Sequence, residues 1–305
     1  MFDTLEVRSP FLTEDVPVTQ KIRIAVIGPG EAASRLAHDL AEAGADVTVF
    51  DVTAFDVTPA NESAIQVAES VEDAVANASV VFSLNSSSAA LRAAERTAPH
   101  LASGAIFADA NTATPALKKK LAELFAPEAF VDVAMMTSAA HATAPRTGPA
   151  DAPTETPTET PTDTKTVLAV CGPAAQAFDE RLDPLKLHTE FVSTEVGQAA
   201  ARNLTRSMLA KGLAGVVIDY MWAAEAMGLE DWAHDEMLRA FDAMTRDTAT
   251  GYLEETVKNA KRREIEMLDI VEMLEEAGYH SLFVPPTQLV YNKVYHSIKV
   301  PYANK

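Results

Sequence analysis

The run Ile22-Arg-Ile-Ala-Val-Ile27 leads directly into Gly28-Pro29-Gly30-Glu31-Ala32-Ala33 and then into a helical stretch through Leu40. No other feature constrains the fold as much, because a buried strand, a glycine turn and a helix in that order form the fingerprint of a dinucleotide-binding βαβ unit. Gly28 permits the tight turn, Gly30 lets the backbone approach a pyrophosphate, and Ala33 takes the third small position where helix packs on strand. The amides at the helix N-terminus, from Glu31 and Ala32, then face the phosphates. The second strand, Asp46-Val-Thr-Val-Phe-Asp51, ends in a carboxylate 21 residues beyond Gly30. Asp51 is placed to accept from the adenosine ribose and to repel a 2′-phosphate. No Lys or Arg occurs between it and Arg92, so NAD is expected in preference to NADP. Leu84, Asn85 and Ser86, at the end of a further strand, complete the expected cofactor-binding set of Gly28, Pro29, Gly30, Glu31, Ala32 and Asp51.

From Lys21 to about Val192, β-branched runs alternate with alanine-rich stretches, the pattern of a doubly wound parallel sheet covered by helices. Strands are expected at Ile22–Ile27, Asp46–Asp51, Ser79–Leu84, Ala105–Asp109, Phe130–Met135, Thr166–Cys171 and Leu187–Val192. Helices Glu31–Ala43, Ser87–Ala98, Thr114–Phe125 and Ala174–Leu182 lie between them. Periodicity vanishes over 138–164, where Pro153-Thr-Glu-Thr-Pro-Thr-Glu-Thr-Pro161 is too poor in apolar residues to pack. This reads as a mobile insertion. After Glu195 strand signals cease, and one helix could run from Gly197 to Met227 unbroken by proline. Further helices are expected at Asp231–Thr245, Gly251–Ala277 and Thr287–Ile298. The organisation is therefore an extension over 1–20, a Rossmann-type domain over 21–194 and an all-α domain over 195–305, with the active site in the cleft between the domains.

Composition narrows the partners. Forty-four acidic against 25 basic residues give a net charge of −19, which repels phosphate backbones and anionic membranes. Neither nucleic acid nor membrane is an expected partner. The single cysteine, Cys171, excludes a disulfide within the chain and fits a reducing cytoplasm. Its apolar neighbours make it core filler rather than a reactive thiol. No metal-ligand spacing occurs, and His188 and His280 read as structural histidines. From Met208 onward the long helix is apolar nearly all round and needs cover on every side, which makes a partner subunit plausible.

Three segments extend these readings to a family resemblance. Asp109-Ala110-Asn111-Thr112-Ala113-Thr114-Pro115 is similar to the substrate-binding Asp-x-Ser-Thr-x-x-Pro of the β-hydroxyacid dehydrogenase superfamily, which includes the 3-hydroxyisobutyrate and 6-phosphogluconate dehydrogenases. Here Asn111 stands in for the serine, although Thr114-Pro115 is also a good helix start. Gly197-Gln-Ala-Ala-Ala-Arg202-Asn203-Leu-Thr-Arg206 opens the long helix where the family carries Gly-x-Gly-x-x-x-Lys and then x-x-Asn. Ala210-Lys211-Gly212-Leu213, Arg262-Arg263-Glu264-Ile265-Glu266-Met267-Leu268-Asp269-Ile270 and Ala277-Gly278 resemble a branch whose C-terminal helical domain has no assigned function.

The resemblance implies a dimer through the C-terminal helices and a hydride exchange with a small polar hydroxy acid or its carbonyl form. It places Asn111 and Thr112 at the substrate and Asn203 at the position of the catalytic lysine. An amide has no proton to exchange near neutral pH, so Asn203 could orient a reacting group but not act as acid or base. Arg206, one turn on, could clamp an anionic substrate, or it could be solvated away from the cleft. Lys211 is too far along the helix to replace residue 203 and is assigned to packing or an interface. Imine reductases of the same architecture also lack the lysine, which keeps imine or enamine reduction open, as well as a non-catalytic nucleotide sensor.

Overall fold

The computed structural model describes residues 21–28, 30–50, 65–136 and 167–303. Pro29, Asp51, the N-terminal extension and the Pro/Thr-rich insertion lie outside the described residues.

The first compact unit runs through Thr205. Its sheet has eight strands, β1 (Arg23–Ile27), β2 (Asp46–Phe50), β3 (Ile65–Val67), β4 (Val80–Ser83), β5 (Ile106–Asp109), β6 (Phe130–Met136), β7 (Val167–Cys171) and β8 (Thr189–Ser193), in the order β3-β2-β1-β4-β5-β6-β7-β8. Every neighbouring pair is parallel except β6 and β7. A parallel sheet was the sequence expectation, and the sheet is parallel but for the β6/β7 pair, whose direction leaves no trace in the strand sequences themselves. The short β3 was also missed, along with the helix after it, because three residues with one buried side chain carry too little periodicity.

Side chains alternate across β1 to feed two cores. Ile24 and Val26 pack with Leu36 and Leu40 of α1 (Glu31–Glu42), and Ala25 and Ile27 pack on the other face with α2 (Val71–Val75), α3 (Ser87–Thr97) and α4 (Pro115–Ala122). Phe178 and Leu182 of α5 (Ala175–Leu182) join the α1 side. Ser70 caps α2 through the amide of Asp73, and Thr114 caps α4 with Pro115 at its first position.

The long helix α6 (Gln198–Ala226) starts in this first unit. Its first amides are tied to the sheet, and the first compact unit ends at Thr205, within α6. The second unit, Arg206–Lys305, holds the rest of α6 with α7 (Glu230–Asp242), α8 (Arg246–Glu276) and α9 (Val284–Tyr295). Thr245 and Thr248 form a capping box at the start of α8. The ring of Phe283 presses so closely on α6 at Gly215 that a Cβ there would lie 2.8 Å from it. Asp219 of α6 is buried and accepts from the Tyr279 hydroxyl at 2.7 Å, the Leu282 amide at 3.0 Å and the Ser281 hydroxyl. Among the described residues no helix is long and apolar enough to cross a membrane.

Candidate active site

In an open α/β sheet the ligand crevice lies at the carboxyl ends of the strands where the order reverses, here between β1 and β4. Gly28 closes β1 at that point. Its amide donates to Phe50 O at 3.1 Å, and a Cβ on it would lie 2.0 Å from Leu84 O, so only glycine lets the ends of β1 and β4 approach this closely. Gly30 is the N-cap of α1 at φ +103° and offers no side-chain acceptor to the first-turn amides. A Cβ there would stand in open space. The first-turn amides, the bare approach over Gly30 and the helix dipole suit a pyrophosphate. Glu31 is exposed and pairs with Arg35 at 3.2 Å, leaving its backbone as the part that faces a ligand.

Beside Gly28 a cavity of about 350 Å³ opens on the α2/α3 side of the sheet, between Phe50 at the end of β2 and the helix α3. Asn85 and the two guanidinium-bearing residues Arg92 and Arg96 contribute to its wall. Ser86 is the exposed N-cap of α3, and Leu84 is buried.

Residue pairing across the sheet sets Ile27, Ser83, Asp109, Asp132 and Cys171 in one row. Around that row lies a polar cluster. Asn111, 4% exposed, donates to Ser83 Oγ at 3.1 Å and to the Asp109 carboxylate, and its carbonyl oxygen accepts from the Asn85 amide. Both amide hydrogens of Asn111 are thus spent internally, so this side chain braces the loops after β4 and β5, and the neighbouring Thr112 is exposed. Asn111, expected at the substrate, is thus engaged with Ser83, Asn85 and Asp109.

Sequence reasoning missed the centre of the cluster. Lys118 of α4 is wholly buried, with Nζ 2.6 Å from Asp109 O, 2.6 Å from Asp109 Oδ2 and 3.0 Å from Asp132 Oδ1. One hydrogen bond, to the Asp109 carbonyl, and two ion pairs hold the ammonium in place. The phase of Leu121 and Phe125 on the helix was the available signal, since it puts residue 118 of the Lys118-Lys119-Lys120 run on the inner face. Burial pushes the Asp109 carboxyl above its ordinary range, and the Lys118 charge offsets this only in part. The other oxygen of Asp132 accepts from the amides of Gly197 at 3.0 Å and Ala200 at 3.3 Å and from the Cys171 thiol at 3.2 Å. That carboxylate therefore seats the N-terminus of α6. Cys171 is core, as expected; burial and the Asp132 charge raise its thiol to about 11.

Asn203 and Arg206 are half-buried and three apart on α6, and each is engaged in a polar or electrostatic interaction. Arg202 is exposed and pairs with Glu190 at 2.6 Å. His188 and His280 are exposed rather than packed.

Residues 23–151 match the NAD-binding domain of 6-phosphogluconate dehydrogenase. The N-terminal unit is thus similar to that NAD-binding domain over this span. Residues 224–294 match a domain of unknown function, DUF1932, as the C-terminal resemblance implied. No protein of curated function matches the sequence. Among solved structures, a conserved hypothetical protein from Sinorhizobium meliloti 1021 is 26% identical over 94% of this chain and 93% of its own, with a TM-score of 0.51. An imine reductase from Myxococcus stipitatus in complex with NADP+ is 16% identical over 90% and 94%, with a TM-score of 0.68. A reductive aminase from Aspergillus terreus in complex with NADPH and ethyl levulinate is 15% identical over 91% and 94%, with a TM-score of 0.65. The last two share the fold of this chain.

Proposed function

We propose that the protein is a nicotinamide-dependent oxidoreductase that exchanges hydride with a small polar, anionic hydroxy acid or its carbonyl form. The observation that carries this reading is the Gly28–Gly30 turn at the switch point of the NAD-binding domain, where the backbone alone is shaped for a pyrophosphate. The bound dinucleotide supplies the hydride chemistry. The chain contributes binding and orientation: the α1 amides hold phosphate, Thr112 and the loop braced by Asn111 face the substrate, Arg206 anchors its anionic group and Asn203 orients the reacting carbon.

A second reading, imine reduction, is favoured by one feature. Asn203 offers an amide where the hydroxyacid dehydrogenases carry a proton-donating lysine, and a protonated imine accepts hydride with less help from an acid. The two readings separate in one absorbance assay at 340 nm. Small 3-hydroxy acids should reduce the oxidised dinucleotide under the first, and cyclic imines or ketone-plus-amine mixtures should oxidise the reduced form under the second. Tight dinucleotide binding with no turnover on either panel would rule out both and leave a nucleotide sensor.

A further inference from the structure

Arg92 and Arg96 stand four apart on α3, so their side chains leave the same face of the helix. Both reach the cavity that Gly28 and Phe50 also line. That is the adenosine side of the crevice, since it lies from the glycine turn toward the end of β2. Both residues are exposed, and among the described residues neither guanidinium has a hydrogen bond or an ion pair. Glu72 feels the Arg96 charge, but its close partner is His100 at 3.8 Å. In a chain with a net charge of −19, two exposed guanidinium groups put positive charge on one wall of this cavity.

We propose that Arg92 and Arg96 bind the 2′-phosphate of a phosphorylated nicotinamide dinucleotide, and so set the cofactor preference of the site. The inference rests on the dinucleotide reading above. It revises the preference for NAD, which rested on the Asp51 carboxylate and on a second premise, that no Lys or Arg occurs between it and Arg92. The fold removes that premise by carrying α3 back beside Phe50, the residue before Asp51. Guanidinium groups suit the task because they stay charged and present paired donors to phosphate oxygens, and a dianion gains from two of them what a ribose hydroxyl cannot.

The test is a fluorescence titration of the full-length protein with NADPH and with NADH, before and after the double substitution Arg92→Ala/Arg96→Ala, with circular dichroism to establish that the variant is folded. The unaltered protein should bind NADPH at least as tightly as NADH. The double variant should lose tenfold or more in NADPH affinity, roughly the effect of removing a charge-assisted bond, while NADH affinity changes by less than about threefold. Competition should agree: 2′,5′-ADP ought to displace the reduced cofactor better than 5′-ADP from the unaltered protein only. The NADPH affinity should also fall more steeply with salt. An equal loss for both dinucleotides would assign the arginines to the adenosine or pyrophosphate common to them and overturn the proposal, as would no loss for either. Failure of the unaltered protein to bind NADH or NADPH is a different result, because it would overturn the dinucleotide reading itself.

Discussion

The ammonium of Lys118 lies 3.0 Å from Oδ1 of Asp132, with both side chains shielded completely from solvent. Through this pair α4 is tied to the carboxylate that seats α6. Asp109 makes the group a cluster of two carboxyls and one cation, in which burial raises the Asp109 carboxyl.

The two carboxyls should therefore respond differently to neutralisation. Asp109→Asn is expected to cost about 1 kcal/mol in unfolding free energy, because burial already works against the Asp109 charge that the amide removes. Asp132→Asn should cost roughly 3 kcal/mol, since its amide would confront the donors of Gly197, Ala200 and Cys171. Urea midpoints at pH 7 compare them, and equal losses would contradict the assignment.

The two fingerprint glycines should also separate. Gly28→Ala is expected to prevent normal folding of the N-terminal unit, because the new methyl would overlap the Leu84 carbonyl. Gly30→Ala has space and should cost only the strain of its backbone, about 1–3 kcal/mol, yet its methyl stands where the pyrophosphate approaches. Calorimetry and NADPH titration on Gly30→Ala should show a folded protein with affinity lowered tenfold or more.

Asp219 gives the C-terminal unit an acid sensitivity. Burial disfavours its charge, but the Ser281, Leu282 and Tyr279 donors outweigh burial and hold the carboxyl below its ordinary value. A carboxyl lowered in the folded state contributes stability above the unfolded value of about 3.9, and that stability is lost as pH falls through the folded value. Asp219→Ala should accordingly weaken the helical unit at pH 7 and much less at pH 3. Urea unfolding at both pH values, followed by circular dichroism, tests the sign.

Along α6, Met208 is 74% exposed, Leu209 73% and Trp222 50%. So much apolar surface on one helix calls for cover, and a second copy of the chain is the partner we propose, in keeping with the expected homodimer. Light scattering at low micromolar concentration should give about twice the mass of one chain. Met208→Glu with Leu209→Glu should shift the protein to monomer.

The glycine fingerprint, the period-two strands on either side of it and the apolar character of α6 were legible in the sequence because each is a local pattern, set by residues within one or two elements. Those patterns determined the Rossmann-type unit, the helical C-terminal unit and the phosphate end of the site. The direction of β7, the burial of Lys118 and the retirement of Asn111 into the interior were decided by tertiary structure. Each depends on partners distant in sequence: β6 for β7, Asp109 and Asp132 for Lys118, Ser83 and Asn85 for Asn111. The same holds for Arg92 and Arg96, which are ordinary surface cations when read along α3. Only the parallel packing of β1, β2 and β4 brings that helix beside Gly28 and Phe50, and electrostatic potential follows distance in space rather than separation along the chain.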